Sequence, residues 1–394
     1  MKLCFIAKLA LSTFLLCQSV IPNRVSAQGN VENALLTIEE QRIEKAQLHM
    51  PNIFKSLANR VKQYKLQINQ ARNLTALTQL TIRHSTELWK DGVKSFDQAG
   101  KFDDRSLYWA RLQLSKALRL SPAFQSLLPM QQQNLLWQLE LLSRGKNDVK
   151  FDKGADKKIL ITGFDPFFLD RNIDQSNPSG VTALALDDLM ISRDGKSAEI
   201  ESLIIPVRFA DFDKGMIETL LAPYYDKVDM IVTISMGRDD FDLERFPGLR
   251  RSAKAPDNIN VYTGANSEKP LKPILFGKNL PDEEFVEFSL PVAMMKKASG
   301  NYKINDNHMV TTLTKKFSPE TLRELAGHIS VQGSGGGYLS NEISYRSIVL
   351  RNEKNPVLPV GHIHTPRIKA YQPKISENIV TQIKQMLTHA ISGI

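Results

Sequence analysis

Short β-branched runs alternate with helical patterns in the second half of this chain, and this alternation is the feature that most limits its fold. Apolar runs typical of buried strands cover residues 159–162, 200–207, 230–235, 329–332 and 357–363. Helical patterns cover residues 178–190, 211–221, 319–326, a stretch after 340, and 375–391. The alternation predicts a three-layer α/β/α domain with a mainly parallel mixed sheet. Ligands of such sheets bind beyond the carboxyl ends of the strands.

The chain before this alternation has a different character. From about residue 30 to 146, apolar residues recur every three or four positions with Gln, Lys and Arg between them. This period predicts an N-terminal all-helical domain, with four to six helices packed as a small bundle. All three tryptophans occupy helical positions, and we interpret them as core residues: Trp89, Trp109 and Trp137.

The first residues have the pattern of a secretory signal. Lys2 and Lys8 come first, an apolar run follows at residues 9–20, and residues 25–27 are the small-residue sequence Val-Ser-Ala. The apolar run is too short for a membrane span. We therefore expect cleavage after Ala27 and an exported protein, periplasmic or secreted, with no stable membrane span.

Removal of this segment changes the charge and the cysteine content. The formal net charge is +9, and it falls by three to +6 when Lys2, Lys8 and Arg24 leave. An excess this small, with scattered basic residues, argues against a nucleic-acid partner. Both cysteines, Cys4 and Cys17, also leave. The mature chain would then have no disulfide, no thiolate metal ligand and no cysteine nucleophile.

A polar segment separates the two parts of the mature chain. Residues 144–158 contain two glycines and many charged side chains, without an apolar period. Such a composition is typical of a linker. The predicted organisation is therefore a signal peptide, a helical domain, a linker and an α/β domain, at residues 1–27, 28–146, 147–157 and 158–394.

Two loops that follow predicted strands contain aromatic and acidic side chains. Phe164 and Phe167 lie on a turn stiffened by glycine and proline, where they could form an aromatic wall for a small flat ligand or simply close the end of the sheet. The loop at residues 236–245 is acidic, which is common for a solvated loop. Spacing alone makes Glu244 one candidate carboxylate among several there.

Two later loops contain glycines and histidines. The glycine-rich turn at residues 333–341 precedes a helical pattern, so its backbone N–H groups could face a phosphate or an oxyanion. The turn lacks the Gly-Lys-Ser/Thr ending of a phosphate loop. His362 and His364 share one strand face, but no third metal ligand is evident nearby. A serine, a histidine and a glutamate at strand ends are also the parts needed for nucleophilic acyl transfer.

A series of motifs in the same order resembles pyroglutamyl peptidase I, the pyrrolidone-carboxylate peptidase family. The family's Thr-Gly-Phe-Glu-Pro-Phe, Asn-Pro-Ser and Gly-Gln-Ala-Gly-Gly-Arg with Pro-Glu-Arg are similar to residues 162–167, 177–179 and 233–245. Its Ala-Arg-Ile-Pro-Asp-Asn and Leu-Pro-Val are similar to residues 253–258 and 290–292. Its Ala-Gly-Thr-Tyr-Val-Cys-Asn and Gly-Phe-Ile-His-Val-Pro are similar to residues 335–341 and 361–366. The resemblance covers residues 158–366 and implies the compact α/β/α fold of these cysteine peptidases.

The resemblance also implies roles for individual residues. It assigns the family's acid to Glu244, its histidine to His364 and its nucleophile position to Ser340. It implies an aromatic pocket for the flat, uncharged lactam of pyroglutamate at Phe164 and Phe167. The further substrate-binding positions that it implies are Ile234, Lys254, Gly336 and Tyr338.

The chain departs from the family in several places. Serine replaces the nucleophilic cysteine at residue 340, and the segment between Leu290 and Ser340 is longer, which predicts an added helix or flap beside the site. The other departures lie near the predicted pocket. There Ile234 replaces glutamine, Met236 replaces glycine, Lys254 replaces arginine and Gly337 replaces threonine.

The sequence supports one function and leaves one alternative open. A glutamate and a histidine could activate Ser340, although a site shaped for a thiolate usually works poorly with a hydroxyl. We expect an exported pyroglutamyl-peptidase-like hydrolase that removes a pyroglutamyl or related small acyl or lactam group from peptides with a blocked N-terminus, using no cofactor and no metal. The alternative is a silenced relative that binds peptide N-termini without cleaving them. The helical domain could anchor the protein, cap the cleft or bind an unknown partner.

Overall fold

The computed structural model describes residues 34–99, 102–280 and 283–394, without the side chains of 97–99. The predicted signal peptide and its cleavage after Ala27 lie outside the described residues. The chain from Leu36 to Ile394 forms one unit. The predicted boundaries of the helical domain, the linker and the α/β domain stay predictions. Among the described helices, none is long and apolar enough to span a bilayer.

The described N-terminal region is helical, with more and shorter helices than the sequence predicted. Its helices are α1 (Ile38–Gln41), α2 (Ile43–His49), α3 (Ala58–Ile68), α4 (Leu74–Ala99), α5 (Arg105–Leu120), α6 (Pro122–Gln125) and α7 (Pro129–Leu142). Prolines divide the pattern because proline has no N–H to donate and therefore starts helices, as Pro122 and Pro129 do here. Trp89 and Trp109 are buried, and Trp137 packs half-buried against the core.

The strands fall into a main sheet and two small sheets. In chain order they are β1 (Lys157–Phe164), β2 (Leu189–Arg193), β3 (Lys196–Ile205), β4 (Met230–Met236), β5 (Phe241–Glu244), β6 (Ile274–Leu275), β7 (Lys278–Asn279), β8 (Ile304–Asn307), β9 (Val310–Thr312), β10 (Lys316–Phe317), β11 (Ser330–Gln332) and β12 (Val360–Thr365).

The main sheet is mixed and mostly parallel, as predicted. Across the described residues it has seven strands in the order β2-β3-β1-β4-β12-β5-β8. The four central strands β3, β1, β4 and β12 are parallel. β2 is antiparallel to β3, and β5 is antiparallel to β12. The central strands are buried along most of their length, which explains their continuous apolar runs.

Helices cover this sheet. They are α8 (Pro178–Leu186), α9 (Phe209–Asp213), α10 (Met216–Leu221), α11 (Val292–Met295), α12 (Leu339–Lys354) and α13 (Pro373–Ala390). α8 packs on β1, β3 and β4 and contacts α13, whereas α12 packs on β4 and β12 and contacts α10. These contacts form the α/β/α architecture, and they bring the N-termini of α8 and α12 to the carboxyl ends of the central strands.

The longer segment between Leu290 and Ser340 contributes both a short helix and strands. It contains α11, the edge strand β8, and the small sheet in the order β10-β9-β11. β8 pairs with β5 in parallel, so Asn307 lies beside Glu244. The added segment therefore extends the main sheet next to one of the predicted site residues.

Candidate active site

A cavity lies at the carboxyl ends of the central strands. It encloses about 300 Å³ of empty volume, part of it open to solvent. Its lining comes from the ends of β1 and β4, the loop after β3, and the N-termini of α8 and α12. The lining residues are Phe164, Phe167, Asn177, Val207, Ser235, Met236, Tyr338, Leu339 and Ser340. The cavity thus occupies the crevice where ligands of such sheets bind.

Aromatic rings form much of the cavity wall. Phe164 is buried and stacks on Phe212, with 6.4 Å between the ring centroids and 15° between the planes. Tyr338 packs edge-on against Phe209 and donates its hydroxyl hydrogen to the Pro256 carbonyl at 2.8 Å. Its polar end is therefore satisfied away from the ligand space. A cavity walled in this way suits a small, flat, uncharged group.

His364 and Glu244 form a buried pair beside this cavity. His364 on β12 lies opposite Asp242 on β5, and side chains alternate along a strand, so Glu244 presents its carboxylate on the same face. The Nδ1 of His364 lies 2.5 Å from Oε1 of Glu244, whose side chain is fully buried. Nδ1–H donates to the carboxylate, which leaves Nε2 as the proton acceptor of the ring.

Asn307 holds the other oxygen of Glu244. Its Nδ2 donates to Oε2 of Glu244 at 2.8 Å and to the carbonyl oxygen of Ser334 at 3.0 Å. The carboxylate is thus fixed between an imidazole and an amide. Sequence reasoning missed Asn307, because an asparagine in the added segment has no local pattern that links it to Glu244.

Ser340 lies next to this pair at the start of α12. It is half-buried, lines the cavity and donates from Oγ to the Gly335 carbonyl at 3.3 Å. A Cβ built on Gly335 would lie 3.5 Å from Cε1 of His364 and 3.7 Å from Cγ of Glu244, so Gly335 lies near both members of the pair. Among the described residues no hydrogen bond joins Ser340 to His364. Catalytic hydrogen bonds are often long in ligand-free sites and shorten when substrate binds.

The glycine-rich turn presents the first turn of α12 to the cavity. A Cβ on Gly333 would lie 2.2 Å from both Oδ1 of Asn341 and the backbone nitrogen of Gly248, so only glycine fits there. Asn341 in turn exchanges two hydrogen bonds with the backbone of Gly248. The first N–H groups of a helix have no intrahelical acceptor, and they carry the positive end of the helix dipole. The turn therefore presents N–H donors near Ser340.

Three other predicted positions lie outside the cavity lining. Ile234 is fully buried in the core, because side chains alternate along β4 and the next residue, Ser235, takes the face toward the cavity. Lys254 is exposed, and the preceding backbone N–H groups bind the Gly337 carbonyl. Gly336 has a φ of +88° and open space around its Cα. Sequence reasoning did not select Ser235, Asn177 or Val207, which do line the cavity.

His362 lies beneath His364 and bonds two hydroxyl groups. Its Nδ1 is 2.8 Å from Oγ1 of Thr233 and its Nε2 is 2.7 Å from Oγ of Ser235. Burial, with a smaller contribution from His364, lowers the pKa of His362 well below its ordinary value. Because both of its nitrogens have partners and Nδ1 of His364 binds Glu244, the two rings do not converge on one metal position.

A cluster of acids elsewhere in the described chain could in principle meet a cation. Ligand atoms of Asp188, Glu199 and Glu201 lie within 4.8 Å of one another. Lys153 already binds Asp188 at 2.6 Å, and backbone N–H groups at residues 152 and 153 donate to Glu199. Burial raises the pKa of Glu201 to about 9. Asp188 thus has a lysine partner, Glu199 has backbone donors and the pKa of Glu201 is raised, and we assign no metal to the three acids.

The helical region reaches the cavity through two buried arginines. Arg111 and Arg144 each bind one oxygen of Asp165 at 2.7 Å, and all three side chains are at most 3% exposed. Asp165 lies in the turn that carries Phe164 and Phe167. The helical region thus fixes, through Asp165, the turn that carries the two phenylalanines. The sequence contains one indication of this buried contact, because Arg111 lies on the apolar stripe of α5. The other residues of that stripe are Leu107, Leu114 and Leu118.

A second contact from the helical region supports the start of α8. Asp104 accepts hydrogen bonds from Oγ of Ser176 at 2.6 Å and from the backbone nitrogen of Asn177 at 3.1 Å. Burial raises the pKa of Asp104 to about 8. Asn177 caps α8 through the Ser179 backbone and donates from Nδ2 to the Asp165 carbonyl at 2.9 Å. Asn177 also lines the cavity, so the helical region supports two parts of its wall.

Two family models match the chain. The model described as PA0049, C-terminal domain, matches residues 158–287 and 298–369, just over half of the 394 residues. The model described as PA0049 N-terminal domain matches residues 23–140. The helical region and the sheet region are therefore both represented in one family.

Individual relatives and solved structures also match. PA0049 of Pseudomonas aeruginosa, described as uncharacterized, is 29% identical over 357 residues, with 68% of this chain and 64% of the relative covered. The chain thus spans less than two thirds of that relative's length. A mutant pyrrolidone carboxyl peptidase of Pyrococcus furiosus is 20% identical, with a TM-score of 0.42 over 60% of this chain and 99% of that chain. The pyrrolidone carboxyl peptidase of Thermococcus litoralis is 18% identical, with a TM-score of 0.38 over 60% of this chain and 94% of that chain.

Proposed function

We propose that this chain, which belongs to the PA0049 family, is a hydrolase that removes an N-terminal pyroglutamyl or related small acyl or lactam group from peptides. The observation that carries the proposal is the buried Glu244–His364 pair, with 2.5 Å between the carboxylate and the imidazole, beside Ser340 at the mouth of an aromatic cavity. These are the parts of a serine-type acyl-transfer site.

The proposed reaction has two steps. Nε2 of His364 takes the proton of Ser340 as Oγ bonds to the carbonyl carbon of the scissile amide. The amide nitrogen leaves with that proton, and the acyl group stays on Oγ. Water then gives a proton to Nε2 as its oxygen bonds to the acyl carbon, and the bond between that carbon and Oγ breaks as Nε2 returns the proton to Oγ. Glu244 stabilises the imidazolium in both steps, and the N–H groups at the start of α12 stabilise the oxyanion.

The cavity supports the choice of a lactam. A pyroglutamyl ring is flat and uncharged, so Phe164, Phe167 and Tyr338 can cover it without desolvating a charge. A free N-terminal amine would bring its positive charge into the same aromatic surroundings, and unpaired buried charges cost several kcal/mol. A blocked N-terminus therefore fits this site better than a free one.

Export belongs to the same proposal. Cleavage of the signal-like segment at residues 1–27 would remove both cysteines from the mature protein. Thiols are readily oxidised outside the cytoplasm, so a hydroxyl nucleophile suits a protein that works there. Mass spectrometry of the mature N-terminus tests this part.

The proposed function predicts which of two matched amides is cleaved. We expect the full chain to hydrolyse a pyroglutamyl chromogenic amide at least about 100-fold faster in kcat/KM than the prolyl amide, since the prolyl ring has the same size but a charged amine. Initial rates with both amides measure this ratio. Cleavage of neither amide, together with saturable binding of the pyroglutamyl compound in calorimetry, would establish the silenced alternative instead.

One observation favours that alternative. Oγ of Ser340 donates to the Gly335 carbonyl and has no hydrogen bond to His364 among the described residues. In a silenced relative this bond would persist with ligand bound. Calorimetric titration with the pyroglutamyl compound measures binding, and the initial rates measure cleavage. Together they distinguish the silenced relative from the hydrolase.

Asn307 is predicted to be a positioning residue for this reaction. We expect Asn307→Ala to lower kcat about tenfold with little change in KM, because Oε2 of Glu244 would lose its donor and the carboxylate could turn away from His364. Steady-state kinetics on the pyroglutamyl amide measures the effect.

The matched control for this prediction is Asn305→Ala. Asn305 lies on the same strand and donates from Nδ2 to Oδ1 of Asp242 at 3.0 Å, so it makes the same kind of bond to a different carboxylate. We expect kcat to stay within about twofold in this variant, a difference of at most a few tenths of a kcal/mol. Equal losses in both variants would mean that β8 supports the sheet edge without positioning Glu244.

A further inference from the structure

A chain of hydrogen bonds runs from the sheet into the cavity and ends at Ser235. Thr233 and Ser235 lie on β4, and His362 lies between them on β12. Oγ1 of Thr233 donates to the Gly361 carbonyl at 3.3 Å and lies 2.8 Å from Nδ1 of His362. Nε2 of His362 lies 2.7 Å from Oγ of Ser235, which lines the cavity. The chain thus ends on a hydroxyl that faces a ligand.

The hydrogen positions follow from the number of donors. His362 is fully buried and neutral, so one of its two ring nitrogens carries a hydrogen. The Thr233 hydroxyl donates to the Gly361 carbonyl, so its oxygen accepts from Nδ1–H. Nε2 then has no hydrogen and accepts from the Ser235 hydroxyl. In this arrangement each hydrogen of the three side chains has an acceptor inside the protein.

The opposite polarity satisfies fewer groups. If Thr233 donated to Nδ1, its bond to the Gly361 carbonyl would be lost and Nε2–H would donate to Ser235. The hydroxyl hydrogen of Ser235, whose side chain is buried, would then have no acceptor among the described residues. Buried polar groups are rarely left in that condition, so the first polarity is the favoured one. Ser235 therefore offers the cavity lone pairs and no hydrogen.

We propose that Ser235 selects ligands that place an N–H donor against it, and that the Thr233–His362 pair fixes this preference. The inference rests on the proposed function and adds a specificity residue to it. The donor of a pyroglutamyl group is the lactam N–H. The wall around it is largely apolar, so a buried N–H without an acceptor would lose its bond to water uncompensated. Ser235 supplies that acceptor.

The preference also acts against ligands that lack the donor. A lactone with a ring oxygen in place of the N–H would set its own lone pairs against those of Ser235. Sites that hydrogen-bond a ligand donor reject analogues without it because a polar group of the protein is left unpaired. The inference therefore concerns discrimination between isosteric rings, beyond the general fit to an uncharged lactam.

Calorimetry with two isosteric probes tests this inference. The probes are pyroglutamide and its lactone counterpart, 5-oxotetrahydrofuran-2-carboxamide, titrated into full-length Ser340→Ala protein so that neither is consumed. We expect the lactone to bind at least about tenfold more weakly than the lactam. In the double variant that adds Ser235→Ala, we expect the two dissociation constants to agree within about twofold.

Two further variants keep the test interpretable. Ser235→Cys retains a side chain of similar shape but is a weaker acceptor, so its preference should lie between those of serine and alanine. Met236→Leu changes another lining residue without changing a hydrogen bond, so it should shift both affinities alike and keep their ratio. Circular dichroism of each variant checks that the fold is retained.

The outcomes separate the inference from the function on which it rests. Equal binding of lactam and lactone to the protein with Ser235 intact would overturn the inference and leave the proposed function standing. Persistence of the preference in the Ser235→Ala background would assign it to another residue and likewise overturn the inference. Absence of binding of both probes at millimolar concentration would overturn the lactam pocket itself.

Discussion

Ser340→Ala is expected to lower kcat for the pyroglutamyl amide by about 10⁴-fold or more, with the fold intact. The serine oxygen is the atom that bonds to the acyl carbon in the proposed reaction, so its removal leaves only the aromatic cavity and the N–H donors of α12. Ser340 is half-buried and makes one 3.3 Å hydrogen bond through its side chain, so alanine should cost little stability. Initial rates and thermal unfolding of both proteins measure the two effects.

The controls for this variant give each outcome a meaning. Ser318→Ala removes an exposed serine from the added segment and should leave kcat unchanged. Equal rates for the wild type and Ser340→Ala would refute the covalent mechanism. Activity that appears only in Ser340→Cys would reveal a site shaped for sulfur whose nucleophile has been lost. That outcome would move this chain to the silenced alternative, since a thiolate forms beside histidine far more readily than an alkoxide.

Asp165→Ala is expected to destabilise the protein by about 3–5 kcal/mol, the cost typical of breaking a buried ion pair by removing one partner. Asp165 is the shared acceptor of Arg111 and Arg144, which are 1% and 2% exposed, so the variant leaves two buried guanidinium groups without this carboxylate. Burial would raise the pKa of neighbouring Glu140, yet Arg208 and Arg144 hold it below its ordinary value. Glu140 therefore stays ionised, but it already binds Arg208 as well as Arg144 and cannot replace Asp165 for both buried arginines.

An ion pair in the same loop whose carboxylate is exposed is the control for Asp165. Asp170 pairs with Arg42 at 2.5 Å, but its own side chain is 55% exposed. We expect Asp170→Ala to cost less, about 1–2 kcal/mol, because Arg42 is only 8% exposed but keeps hydrogen bonds to the Asn258 carbonyl and to Oδ1 of Asn260. Urea unfolding curves for both variants give the comparison. Similar midpoints for the two would mean that the buried arginines find other acceptors and that Asp165 does not join the helices to the aromatic turn.

The parts of the fold that could be predicted are those with strong local patterns. The buried parallel strands β1, β3, β4 and β12 read as continuous apolar runs, and the loops after them were the places to look for a site. Glu244 could not be chosen by spacing among the acids of its loop. The structure explains the choice made by resemblance, because residues 241–244 form a strand antiparallel to β12 and this places Glu244 against His364.

Edge elements were the main failures. The helix predicted at residues 178–190 ends at Leu186, and Asp188 then takes a positive φ of 59° before β2 begins. The helix predicted at residues 319–326 is a 3₁₀ turn at Leu322–Leu325. β5 and β8 are only four residues each and contain polar side chains, so they had no apolar alternation to recognise. Pairing with neighbouring strands, rather than propensity, makes them strands.

Long-range contacts explain the rest of what was missed. Asn307 bonds Glu244 from 63 positions away, and Arg111 bonds Asp165 from 54 positions away. A single sequence has no signal that joins such positions, although an arginine on an apolar stripe indicates a buried partner. The sequence alone therefore allows three alternative roles for the helical region. Its contacts with Asp165 and Asn177 now add a fourth role, as a support for the cavity wall.

The order in which a ribosome produces these groups has a consequence for how the protein matures. The helices α5 and α7 are synthesised before β1, so Arg111 and Arg144 leave the ribosome before Asp165 does. Until then Arg111 lacks its buried carboxylate partner, whereas Arg144 can already pair with Glu140 of α7. We therefore expect the packing around Arg111 to be completed only after β1 and Asp165 have been synthesised, so that the helical region and the sheet depend on each other for their final structure.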